Sequence, residues 1–73
     1  MNIGDTVELI VDVYTKDYLA YHSDNVSFTK NMRGIILEIF YGDIERFNIY
    51  TIEFKVKGYK MIGQFHKSCF RRY

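Results

Sequence analysis

Few side chains in this 73-residue chain could do covalent chemistry. His66-x-x-Cys69 sets a base and a thiol close in sequence, the pairing a nucleophilic cysteine needs. On a strand, however, residues three apart point to opposite faces, and the thiol also needs a neighbour that lowers its pKa and a cleft for substrate. The pair reads as a half-buried structural cysteine beside a surface histidine. Asp43 and Glu45 could pose as a carboxylate pair, but they fall in an expected turn and read as solvated charges. No Gly-rich phosphate loop, His-Glu metal motif or serine-centred elbow occurs in the sequence. His22, His66 and Cys69 are the only good nitrogen and sulfur ligands, so neither a metal nor another cofactor is expected, and no small-molecule substrate. The expectation is a non-enzymatic protein that works by binding.

Two residue sets could bind. The first is aromatic. Seven Tyr and six Phe are a large share of so short a chain, and each ring buries about 150–250 Å² when covered. Tyr14, Tyr18, Tyr21, Phe40 and Tyr41 fall in expected loops or at a hairpin, where rigid amphipathic rings suit a protein interface. Ile10 and Ile36 are further candidates for outward positions. The competing reading, of equal weight, is that the rings complete a small core. The second set is basic. Residues 54–73 hold Lys55, Lys57, Lys60, Lys67, Arg71 and Arg72 and no acid, a balance of +6. Residues 1–53 hold Lys16, Lys30, Arg33 and Arg46 against nine acids, a balance of −5, which leaves the net charge of +1. Lys55, Lys57, Tyr59, Lys60, Arg71 and Arg72 could follow a nucleic-acid backbone while rings stack on bases. A sequence pI of about 7.8 lies below the usual basic footprint of such proteins.

The element that must position these residues is Tyr50–Lys57. Tyr50, Ile52, Phe54 and Val56 alternate with Thr51, Glu53, Lys55 and Lys57, the period of a strand with one face on a core and one in water. Ile3-Gly4-Asp5 reads as a lead-in turn. Asp5 to Tyr14 then reads as one long strand, with Val7, Leu9, Val11 and Val13 inward. From Thr15 to Lys30 the period is lost, which predicts a long excursion: a loose hairpin, or a helical turn over Asp17–Tyr21. Ile35–Phe40 is apolar on both faces apart from Glu38, so it is buried on both sides or strongly bent. Gly34 at its entry fits a bulge or a close backbone approach. Tyr41–Arg46 is a hairpin connection. Gly58-Tyr59 reads as a two-residue type II′ turn. Lys60–Phe65 is a fourth strand, and Cys69–Tyr73 a fifth, entered through a 3₁₀ turn at Lys67–Cys69.

Five short strands with a long excursion after the first describe a small antiparallel barrel. Gly4-Asp5-x-Val7, Met32-Arg33-Gly34-Ile35-Ile36, Tyr50-x-Ile52-x-Phe54 and Phe70-Arg71-Arg72-Tyr73 resemble the layout of small bacterial and phage SH3-like and KOW-type modules. The resemblance covers nearly the whole chain and implies an all-β, five-stranded antiparallel SH3-like barrel with a long loop after the first strand. These positions are structural ones, shared by domains of many functions. KOW modules point toward RNA or single-stranded DNA. The resemblance also implies a last strand beside the first, which would set Arg71 and Arg72 near Glu8 or Asp12 as ion pairs worth about 0.2–1 kcal/mol each. The family's polyproline groove needs a Trp and a Pro, and this chain has neither.

Seventy-three residues are read as a single domain, 1–73. A single thiol fits a reducing compartment, and MNIGDTVELIVDV lacks the basic start and unbroken apolar run of a signal peptide. No stretch approaches the 18 or so apolar residues of a membrane span. The expectation is a cytoplasmic protein whose partner is another protein or a second copy of itself, with nucleic acid as the alternative and no membrane. The bias toward Ile, Lys, Asn, Tyr and Phe is typical of AT-rich genomes, where small proteins of phages and mobile elements often act by inhibiting host machinery.

Overall fold

The computed structural model describes residues 1–14, 20–21 and 27–73, with the side chains of residues 14, 20, 21 and 27 left out. The described strands are β1 (Thr6–Leu9), β2 (Val13–Tyr14), β3 (Ala20–Tyr21), β4 (Ser27–Phe28), β5 (Arg33–Phe40), β6 (Ile49–Val56), β7 (Tyr59–His66) and β8 (Phe70–Arg72). Two 3₁₀ turns, η1 (Glu45–Phe47) and η2 (Lys67–Cys69), precede β6 and β8. The chain is all-β. Five antiparallel strands run in the order β7-β6-β5-β1-β8, and the two-residue β3 adds to the far edge of β7.

β6 has one buried face, as its alternation predicts. Tyr50, Ile52 and Phe54 are buried, while Thr51, Glu53 and Lys55 face the other way. The inner face meets Val7, Leu9, Ile36, Phe65 and Phe70 in one core. Phe28, on β4, closes it from the side. Its ring lies 5.4 Å from Phe54 and 5.0 Å from Phe65, the latter edge-on at 90°, the arrangement the aromatic quadrupole favours.

Several expectations need correction. The first strand ends at Leu9. The backbone bends at Ile10–Val11, and Val13–Tyr14 leaves the sheet to pair with Ser27–Phe28. Val11 is therefore exposed, whereas Val13 returns to the core. The apolar period runs on because both ends of the bend reach the same core. β5 is bent, and the extra residue is at Leu37: Ile36 stands opposite Ile52, but Glu38 stands opposite Thr51. Of the two alternatives at Gly34, a bulge or a close backbone approach, the structure has the close approach: a Cβ there would lie 2.6 Å from the Glu53 carbonyl oxygen. The β6–β7 turn is Lys57-Gly58. Val56 pairs with Tyr59, and both central residues have positive φ (51° and 83°), the type I′ pattern. Finally, hydrogen bonds do not close the sheet into a barrel. Its edge strands, β3 and β8, have two and three residues and share no ladder, whereas closure requires a staggered register all the way round.

Candidate protein-binding surface

The β5–β6 connection is built to hold its shape. Asn48 is buried, and its Oδ1 accepts the Gly42 N–H at 3.0 Å. The Asn48 N–H donates to the Glu45 carbonyl at 3.0 Å, and the Phe47 N–H to Ile44 at 2.9 Å, which closes η1. Gly42 lies directly on Phe47: a Cβ there would be 2.4 Å from the Phe47 Cβ. Lys67, in η2, donates to Glu45 Oε1 at 2.6 Å and ties the two 3₁₀ turns together. That bond comes first among the causes that hold the Glu45 carboxyl below its ordinary value and Lys67 above its own.

On this frame the large apolar side chains point to water. Tyr41 is 76% exposed, Phe47 51%, Phe40 49% and Ile44 47%. The Arg46 guanidinium lies 5.0 Å from the Phe47 ring centroid. Beside them is a shallow open depression of about 390 Å³, lined by Met1, Tyr41, Asp43, Ile44 and Glu45, with Asn48 and Tyr50 at its floor. Exposed apolar side chains on one connection, interspersed with the charges of Asp43, Glu45 and Arg46, have the composition of a contact surface.

Of the aromatic set, Phe40 and Tyr41 sit together here. Tyr18 lies outside the described residues, as do the side chains of Tyr14 and Tyr21; the backbones of those two belong to β2 and β3. Ile10 is partly exposed, but Ile36 is fully buried, opposite Ile52, so it is no outward candidate. Sequence reasoning passed over Phe47. Nothing in its local sequence sets it apart from the other aromatics.

The basic set is divided by the topology. Lys55 and Lys60 are exposed and directly opposite one another. Lys57 is in the turn. Tyr59 is 76% exposed but registers with Val56, on the other face from Lys55 and Lys60. Arg71 stands opposite Glu8 and donates to it at 3.0 Å, while Arg72 stands opposite Val7. β8 is therefore not a neighbour of β6 and β7; β1 and β5 intervene, because β8 pairs with β1. Cys69 is fully buried rather than half-buried, and acts there as a small apolar side chain. Among the described residues no cluster of three His, Cys, Asp or Glu could hold a metal ion, and no helix is long and apolar enough to cross a membrane.

No family model matches the chain, and neither a curated protein nor a solved structure matches it.

Proposed function

We propose that the chain is a small non-enzymatic binding module, acting through protein–protein contacts at the β5–β6 connection, on an SH3-like frame. The frame is supported by the order β8-β1-β5-β6-β7, with the last strand beside the first, a long segment after β1 and a 3₁₀ turn before β8. The observation that carries the function is the exposure of Phe40, at the end of β5, and of Tyr41, Ile44 and Phe47, in the connection held by Asn48 and by the Lys67–Glu45 bond. Folding alone gives no reason to hold four large apolar side chains in water on a rigid support. The partner is a host protein or a second copy of this chain.

Light scattering across a concentration series separates these two partners, and affinity capture from the native host with wild type and Tyr41→Ala tests the site. Tyr41→Ala should leave the melting temperature within a degree or two and weaken the contact at least tenfold, about 1.4 kcal/mol, as an interface aromatic does. The same partners retained at the same strength by Tyr41→Ala and by Phe47→Ser would remove this surface.

A second reading is oligonucleotide binding through the basic strands. It is supported by Lys55, Lys57 and Lys60: among the described residues, none of them has an ion-pair partner.

A further inference from the structure

On the outer face of the sheet, four successive ladders bring charged residues into one row that crosses the strands. Arg71 stands opposite Glu8, Glu8 opposite Arg33, and Lys55 opposite Lys60. The register that pairs Gly34 with Phe54 and Ile35 with Glu53 carries Arg33 to the side of Lys55. From β8 to β7 the row therefore reads Arg71, Glu8, Arg33, Lys55, Lys60. With strands about 4.8 Å apart, it is about 19 Å long.

The positive charge of this row is not consumed by the fold. Glu8 takes one hydrogen bond from Arg33 (3.2 Å) and one from Arg71 (3.0 Å), yet those side chains stay 55% and 69% exposed. Glu8 thus fixes two guanidiniums while cancelling only one charge. Lys55 and Lys60 face each other, and like charges directly opposite on a sheet are destabilising. Lys57, just beyond them, holds φ 51°, a conformation that costs a side-chain-bearing residue energy. Two local choices that oppose folding, and that both gather positive charge, mark a surface kept for a ligand.

We propose that this row binds the sugar–phosphate backbone of a single-stranded nucleic acid, with bases laid over the adjacent row of Thr6, Ile35, Glu53 and Ile62. The guanidinium fork matches phosphate oxygens, and lysine supplies point charges between them. A straight row with regular spacing fits a chain of repeating charges better than the irregular carboxylates of a folded protein. Ile35 is 47% exposed and Ile62 42%, which gives the bases an apolar bed. Tyr73, 64% exposed, carries the Arg33 guanidinium 3.9 Å from its ring centroid, the mixture of ring and cation that single-strand sites use. Glu53, between the two isoleucines in register, can accept from the amino group of cytosine. The inference rests on the oligonucleotide reading and relocates its site: Arg33 joins, while Tyr59 and Arg72, which register to the other face, leave.

The test is fluorescence anisotropy with a labelled oligouridylate of about 12 nucleotides, titrated at several salt concentrations. Four engaged bases predict a slope of about −3 for log K against log salt. Lys55→Ala and Lys60→Ala should each weaken binding about three- to tenfold and reduce the slope by about 0.7, whereas Arg72→Ala changes affinity less than about twofold. The lysine variants carry the test because Lys55 and Lys60 hold nothing in the fold; melting curves confirm that they stay folded. RNA binding that depends on Arg72 but not on Lys55 and Lys60 would overturn the row and leave the oligonucleotide reading standing. No binding at low salt would overturn both. Poly-glutamate bound as tightly as RNA through Lys55 and Lys60 would replace the nucleic acid with an acidic protein partner.

Discussion

Glu8 points to the outer face of β1 and is nevertheless only 7% exposed, because two guanidiniums cover it. The hydrogen bond from Arg71, and then that from Arg33, holds its carboxyl below the ordinary value of 4.5. A carboxyl lowered in the folded state adds stability that is complete above its unfolded value and is lost as pH falls through its folded one. Melting followed by circular dichroism should therefore show the Glu8 contribution intact at neutral pH and vanishing below 4.5. Glu8→Gln should melt lower at pH 7 and show a shallower acid limb; identical limbs for the two proteins would refute the role. Half of this arrangement was legible in the sequence. Arg71 lies opposite Glu8 because a last strand beside the first requires it. Nothing in the sequence points Arg33 at Glu8, and only the antiparallel register sets it on the other side of the same carboxylate.

At the level of elements, strand periodicity was a sound guide where the ladder is regular and misleading where it is not. β6 has eight residues in unbroken alternation, and it lies where that pattern places it. β5 looks apolar on both faces because the extra residue at Leu37 shifts the phase: Ile36 faces the core before it, Ile39 stands opposite buried Tyr50 after it, and Leu37 is left in solvent. No count of apolar residues locates such a step, since Ile, Leu and Phe are alike to the pattern. The β6–β7 turn shows the same limit. Gly58 announces a turn, but Lys57 is a poor residue for the first centre of a type I′ turn, so the sequence points to Gly58-Tyr59, one position late. The mismatch has a measurable consequence: Lys57→Asn should raise stability by about 0.5–1 kcal/mol in urea unfolding. A destabilised Lys57→Asn would mean that the turn is not type I′.

For the molecule as a whole, one small core supplies the apolar burial, and the segment after β1 contributes to it. Phe28 is fully buried between Phe54 and Phe65. A chain of this size has roughly 4–11 kcal/mol of stability in total, and truncating a buried Phe to Ala costs about 3–5 kcal/mol. Phe28→Ala should thus lower the urea midpoint by about a third or more; an unchanged midpoint would place that ring outside the core. In sequence, Phe28 falls within the Thr15–Lys30 excursion, and nothing local distinguishes a ring that plugs a core from one that lies on it. The Glu8–Arg71 bond spans 63 residues. At a synthesis rate of about 5–20 residues per second, β1 leaves the ribosome roughly 3–13 seconds before the strand that flanks it exists. During that wait Glu8 lacks the Arg71 guanidinium and the edge of β1 that β8 later covers lies bare.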